Sequence, residues 1–195
     1  MAKQIVCVGD SITFGLNVGR ASYPSQLQLL LSGTFKVTNL GVSGSTACST
    51  GLFAQPYTQF PQWQEALNCA TPDICIFMLG TNDSHKNLYN DGEFLAAFKD
   101  EYKQILKALK SKYERLIVMI PPPCLNDNGD HRSDILKKWA QLIPELANGL
   151  ELSIVNLFEA FGADSPHKGY YMDNVHPNQE GYKVIAESLR DILLQ

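Results

Sequence analysis

The 195-residue chain predicts a three-layer α/β/α sandwich around a five-stranded parallel sheet. Three observations lead there. Short apolar runs, most of them bounded by glycine or proline, alternate five times with segments carrying apolar residues at helical spacing. The third run, Ile74–Leu79, is apolar throughout, the mark of a central strand buried on both faces. The longest polar loops follow the strand ends. Strand–helix alternation of this kind requires parallel strands joined by right-handed crossovers.

In chain order, Gln4–Val8 reads as the first strand and stops at Gly9. Ser22–Leu31 reads as a helix, with Ser22 as its cap and Leu27, Leu30 and Leu31 on one face. Lys36–Leu40 is the second strand. Two long polar stretches follow, Gly41–Pro61 and, after the third strand, Thr81–Asn90; loops of that length in a compact domain are usually functional. Asp91–Ser111 places Phe94, Leu95, Phe98, Tyr102, Ile105, Leu106 and Leu109 on a helical face, with Asp91 as the expected cap. Leu116–Ile120 is the fourth strand, stopped by Pro121-Pro122-Pro123. Ser133–Leu150 reads as a helix in which Pro144 should introduce a kink or break. Ser153–Asn156 is a short fifth strand. Asn178–Leu194 closes the chain as a helix started by Pro177. No repeat, low-complexity tract or linker divides the chain, so residues 1–195 are expected to form one domain.

Composition removes several function classes. A net charge of −4 and scattered basic residues leave no stripe for nucleic acid. The five cysteines are Cys7, Cys48, Cys69, Cys75 and Cys124; no pair has C-x-x-C spacing, and the odd count implies no disulfide framework. Cys7 and Cys75 lie in apolar runs and are expected in the core. Cys48 has no activating base beside it in sequence and reads as a bystander. No apolar run reaches the length of a membrane-crossing helix, and Met1-Ala2-Lys3 leads into a strand rather than a signal segment. The expected compartment is the cytoplasm, or the outside after removal of a signal. Oligomeric state is not legible.

In an open parallel sheet, ligands bind beyond the carboxyl ends of the strands. Four polar clusters fall on that rim: Gly9-Asp10-Ser11 after strand one, Gly41-Val42-Ser43-Gly44-Ser45-Thr46 after strand two, Gly80-Thr81-Asn82-Asp83 after strand three, and Asp173-Asn174-Val175-His176-Pro177-Asn178 after strand five. Each has a chemical use. Ser11 sits in a tight turn and offers a hydroxyl, which at neutral pH needs a base to attack. His176 supplies an imidazole, and Asp173, three residues earlier, can hold its Nδ1–H so that Nε2 faces the serine. An anionic tetrahedral intermediate also needs donors. The candidates are the backbone N–H of Ser11, the backbone N–H of Gly44, where no side chain blocks approach, and the Asn82 amide. Asp10 and Asp83 flank these groups and are expected to brace loops by accepting backbone N–H bonds.

These blocks resemble the SGNH hydrolases, also called the GDSL esterase/lipase family, from Gln4 to Leu194. Gly-Asp-Ser-Ile-Thr at 9–13 resembles the first family block, Gly-Val-Ser-Gly-Ser-Thr at 41–46 the second, Gly-Thr-Asn-Asp at 80–83 the third, and Asp-Asn-Val-His-Pro-Asn at 173–178 the last. The resemblance implies a flavodoxin-like fold and a serine ester hydrolase. It gives Ser11, Asp173 and His176 as catalytic residues, with Ser11, Gly44 and Asn82 as the oxyanion hole, and it implies no cofactor and no metal. Gly9–Gly15, Tyr23-Pro24-Ser25-Gln26-Leu27 and Gly-Thr-Asn-Asp-Ser are most similar to the carbohydrate O-acetylesterase branch. That branch often has Lys-Pro and then Asn-Trp next; here the run is His85-Lys86-Asn87-Leu88-Tyr89. The expected substrate is a small-molecule or glycan ester, with neither nucleic acid nor membrane as partner.

Rival readings stay in view. A lysophospholipase, short-chain lipase or thioesterase of the same fold would need an apolar groove, for which Leu52-Phe53 and Leu88 are the candidate start. A non-catalytic carbohydrate-binding module would not need Ser11, Asp173 and His176 intact. Dinucleotide binding fails because Gly9–Gly15 lacks G-x-G-x-x-G spacing. Tyr57, Trp63, Tyr89, Tyr170 and Tyr171 serve either sugar stacking or packing. His85, His131 and His167 lie in polar loops, either solvated or touching substrate.

Overall fold

A computed structural model describes residues 2–31, 33–51, 54–70, 73–87, 92–125 and 129–194. The sheet has five parallel strands: β1 (Lys3–Gly9), β2 (Phe35–Gly41), β3 (Ile74–Met78), β4 (Arg115–Ile120) and β5 (Ser153–Asn156). Their order across the sheet is β2-β1-β3-β4-β5. That order is flavodoxin-like, and its topological switch lies between β1 and β3. β3 is central, as its unbroken apolar run requires; all five of its residues are buried.

Strand alternation divides the core in two. Val6, Val8, Cys75, Phe77, Leu116 and Val118 point to one face, where α3 (Pro61–Leu67), α4 (Gly92–Lys112) and α5 (Ser133–Ala147) cover them. Ile5, Cys7, Ile74, Ile76, Ile117 and Met119 point to the other. There they meet Tyr23 and Leu27 of α2 (Tyr23–Leu30) and Tyr182, Ile185 and Leu189 of α7 (Gln179–Leu193). Burial on both faces is the reason the central strands lack a polar alternation. Two one-turn helices complete the chain, α1 (Ser11–Phe14) and α6 (Leu157–Ala160).

Several local expectations change. Pro144 lies inside α5, which runs on to Ala147, so the missing N–H neither ends the helix there nor starts a loop. α7 is capped by Asn178, whose side chain accepts from the N–H groups of Glu180 (3.0 Å) and Gly181 (3.1 Å). Pro177 only precedes it. Ser22 stands at the N-cap of α2 but makes no capping bond; its hydroxyl pairs with Ser25 Oγ instead. The stretch before β3 carries α3, a helix that sequence periodicity missed because its seven residues span barely two turns. Asp91 lies outside the described residues. Among the described residues, no helix is long and apolar enough to cross a membrane.

Register brings the loops together. Gly9 pairs with Gly41 on one side and with Met78 on the other. The chain therefore leaves β1, β2 and β3 at one level, and the segments carrying Ser11, Gly44 and Asn82 emerge side by side.

Candidate active site

Ser11 is the first residue of α1, and only 4% of it is exposed. Four residues cannot hold a helix by propensity alone, so neighbours hold this one. Asp10 is its N-cap, with Oδ1 accepting the Ile12 N–H at 2.9 Å. Asn39 of β2 donates from Nδ2 to Thr13 O at 2.9 Å, and the buried Thr13 and Tyr23 hydroxyls lie 3.1 Å apart. Gly9 makes the sharp turn possible: a Cβ there would come within 2.2 Å of Thr13 Oγ1 and 2.5 Å of Met78 O.

His176 reaches the same point from the other end of the chain. Its Nε2 is 2.9 Å from Ser11 Oγ, and its Nδ1 is 2.8 Å from Asp173 Oδ2. Asp173 also closes a local turn, with Oδ1 accepting the N–H of Val175 (2.7 Å) and of His176 (2.6 Å). Burial, the largest single influence on Asp173, pushes its carboxyl up; the His176 and Val175 N–H bonds and the imidazole together outweigh it and hold the group below the usual carboxylate range. The segment is pinned on both sides. Met172 N–H donates to His176 O (3.0 Å), Asn178 N–H to Tyr170 O (2.8 Å), and Leu125 N–H to Asn174 O (2.8 Å). An imidazole fixed in this way, with Nδ1–H on a carboxylate, presents Nε2 as the acceptor for the serine proton.

Gly44 and Asn82 lie on the segments that leave β2 and β3 at the same level as the one carrying Ser11. Among the described residues the N–H groups of Ser11 and Gly44 have no acceptor. Gly44 has φ +79°, and a Cβ there would meet only Gln55 Oε1 at 3.9 Å. The left-handed backbone is a second reason for glycine at this position, beside the open approach to its N–H. Asn82 Nδ2 donates to Ser45 O at 2.9 Å, which uses one amide hydrogen and leaves the second without a partner among the described residues.

The two flanking aspartates brace the loops as expected. Asp83 is fully buried; it accepts from Ala47 N–H (3.1 and 3.0 Å) and Cys48 N–H (2.9 Å), tying the loop after β2 to the segment after β3. Burial pushes its pKa up to about 7 against the pull of those N–H bonds, and burial likewise pushes Asp10 up to about 6. Both values exceed the unfolded-chain value of 3.8, so the folded protein holds these protons where the unfolded chain has released them. Their contribution to stability is complete below about pH 4 and is lost as pH rises through about 6 and 7. Asp173, held low, acts only below that window. His131, whose imidazole burial holds down at about 4, pulls the other way between about pH 4 and 6.5, equally in wild type and variant. The urea midpoint at about pH 5 relative to that at about pH 8 is therefore expected to be lower in Asp83→Asn than in wild type. An equal difference in the variant would remove Asp83 from this account.

The remaining candidates sort by burial. Tyr57 is fully buried, with its hydroxyl on Leu40 O, and Trp63 packs edge-on against it. Tyr171 is buried and bonds Pro123 O. These three pack the protein and are not free to stack on a ligand. Tyr170 is half-buried and stacks on the exposed His167. Tyr89, Leu52, Phe53 and Leu88 lie outside the described residues. Cys48 is buried beside Glu101, and burial pushes its thiol up to about 11, so it is no thiolate nucleophile. Cys7 and Cys75 are core residues. Among the described residues no cluster of His, Cys, Asp and Glu is arranged to hold a metal ion. His131 is a residue whose place sequence did not resolve. Its Nε2 lies 3.4 Å from Asn82 Oδ1, and with Asp130, Asn174 and Val175 it lines a cleft of about 260 Å³ beside Asp173 and His176.

Comparison with known proteins gives the family and the fold. The profile of the GDSL-like lipase/acylhydrolase family matches residues 7–184. The chain belongs to that family. Carboxylic ester hydrolysis is the class of chemistry such membership carries. An acetylxylan esterase from Xylanibacter ruminicola is 28% identical over 211 residues, covering 95% of this chain. The chain spans only 42% of that relative's length. Among solved structures, a lipolytic G-D-S-L family protein from Veillonella parvula superposes over 100% of both chains with a TM-score of 0.79 and 18% identity. A carbohydrate acetylesterase family member from Sinorhizobium meliloti covers 98% of this chain and 97% of its own, with a TM-score of 0.74 and 20% identity. At these identities the structural likeness establishes the fold of this GDSL family member, a five-stranded parallel α/β sandwich.

Proposed function

We propose that residues 1–195 act as one catalytic domain, a serine ester hydrolase that removes acetyl groups from an O-acetylated carbohydrate through an acyl-enzyme. The observation that carries this reading is the hydrogen-bonded row Ser11–His176–Asp173, with contacts of 2.9 and 2.8 Å. Ser11 Oγ attacks the ester carbonyl and gives its proton to His176 Nε2. Asp173 keeps the imidazole in the tautomer that accepts this proton and stabilises the imidazolium formed. The negative charge on the carbonyl oxygen is met by Ser11 N–H, Gly44 N–H and the free Nδ2–H of Asn82. His176 then protonates the departing alcohol, leaving the acyl group on Ser11. Water repeats the sequence and releases acetate.

The carbohydrate part rests on two supports. One relative is named an acetylxylan esterase. The cleft beside His176 carries Asp130, His131 and Asn174, groups able to bond sugar hydroxyls. A series of p-nitrophenyl esters from acetate to decanoate tests the acyl preference, and acetate release from acetylated glycans tests the alcohol. kcat/KM is expected to be highest for acetate and to fall with each added pair of carbons. A preference for chains of about eight carbons or more would assign the chain to lipase-like substrates instead.

A further inference from the structure

We propose that His131 is a positioning residue that locks the Asn82 amide with its free N–H toward the substrate carbonyl. The inference rests on the reading above that Asn82 is an oxyanion donor. It starts from an ambiguity: an asparagine amide has two orientations, and only one of them leaves an N–H for the site. Ser45 O decides between them. It is a pure acceptor 2.9 Å from the Asn82 amide, so the group facing it is Nδ2. Oδ1 is then the atom 3.4 Å from His131 Nε2. Oδ1 carries no hydrogen, so His131 Nε2 is the donor and the ring is the Nε2–H form. The amide is held at both ends and retains one open valence, the second hydrogen on Nδ2. A donor on Oδ1 also draws electron density through the amide and makes that remaining N–H a better donor.

The backbone around His131 is built for this task. His85 and His131 form an antiparallel bridge, flanked by Lys86 N–H to Asp130 O (2.7 Å) and Arg132 N–H to Ser84 O (3.1 Å). A Lys86–Asp130 ion pair at 2.8 Å closes the outside. The segment after β4 is thus zipped onto the turn that carries Asn82. The His131 ring meets the edge of His85, with centroids 5.5 Å apart. Burial, helped by His85 and His176, pushes His131 down to about 4, so the ring is neutral at working pH and brings no second charge near His176. It takes no part in proton transfer: its Nε2 proton is engaged by Asn82, and the base beside Ser11 is His176.

The test is a double-mutant cycle on p-nitrophenyl acetate with His131→Ala, Asn82→Ala and the double variant. Asn82→Ala is expected to lower kcat about 10²- to 10³-fold. His131→Ala should lower kcat about tenfold, the worth of one ordinary hydrogen bond, with KM within about twofold and an unchanged thermal midpoint. In the Asn82→Ala background the same change should have almost no effect, because the amide it positions is gone. His131→Gln, whose Nε2–H can reach the same place, should recover most of the loss. A full tenfold loss in the Asn82→Ala background, a raised KM at unchanged kcat, or no loss in His131→Ala overturns the proposal. If Asn82→Ala itself leaves kcat intact, the assignment of the oxyanion donor has failed instead. Should His131→Ala not fold, His131→Gln and His131→Phe form the cycle, with Phe expected to behave as the alanine variant.

Discussion

Ser11→Ala is expected to lower kcat on p-nitrophenyl acetate by about 10⁴-fold or more, with no burst of p-nitrophenol and little change in stability. The loss is large because no other group can take its place. Ser45, on the neighbouring loop, is buried and donates to Val42 O at 2.9 Å. Ser84 is buried and donates to Thr81 O at 2.7 Å. Neither contacts His176. The residual activity should be that of the oxyanion donors acting on bound ester and water. Stability should hold because Ser11 Oγ has one partner among the described residues, His176 Nε2, while α1 is fixed by Asp10, Asn39 and Thr13. Substantial turnover by the variant would remove Ser11 from the reaction.

His176→Ala should produce a loss of similar size, again about 10⁴-fold or more, because a serine without its base is a poor nucleophile at neutral pH. No second imidazole can substitute. His131 is turned to Asn82, His85 packs on His131, and His167 stacks on Tyr170. The variant also strands Asp173, whose carboxylate then keeps, among the described residues, the Val175 N–H and the residue-176 backbone N–H. The double variant Ser11→Ala/His176→Ala is expected to be no worse than either single one, since the two groups act as a unit. Multiplying losses in the double variant would mean that they act independently, which a shared proton between Ser11 Oγ and His176 Nε2 does not allow.

Much of the fold, and the rim on which the candidate site lies, is legible in the sequence. Apolar runs of five or six residues, Ile74–Met78 above all, can be little else than buried strands, and the loops that follow them must lie on one rim. Ser11, Gly44, Asn82, Asp173 and His176 were reached in that way, and the structure brings Ser11 and His176, 165 residues apart, into contact. Features decided by long-range or competing contacts were less legible. α3 is too short to show a period. Asn178 displaced Pro177 as the start of α7 because a side-chain acceptor for two N–H groups does more for a helix end than a fixed φ. Pro144 stays helical within an amphipathic α5 whose buried face, with Trp139, Leu142, Ile143 and Leu146, outweighs one lost bond. The positive φ of Gly44 is not legible in the sequence, since a backbone dihedral leaves no trace in composition. His131 stood among three loop histidines with nothing to single it out; its partner Asn82 is 49 residues away.

The central claim is that Ser11, activated by His176, is the atom that becomes acylated. Labelling with an alkyl fluorophosphonate, which phosphonylates an activated serine hydroxyl with loss of fluoride, tests it most directly when followed by peptide mapping. One adduct per chain is expected, on the peptide containing Ser11, with none in Ser11→Ala and a labelling rate lowered by about 10³-fold or more in His176→Ala. An adduct on any other residue, or labelling of the His176→Ala variant at the wild-type rate, would contradict the account.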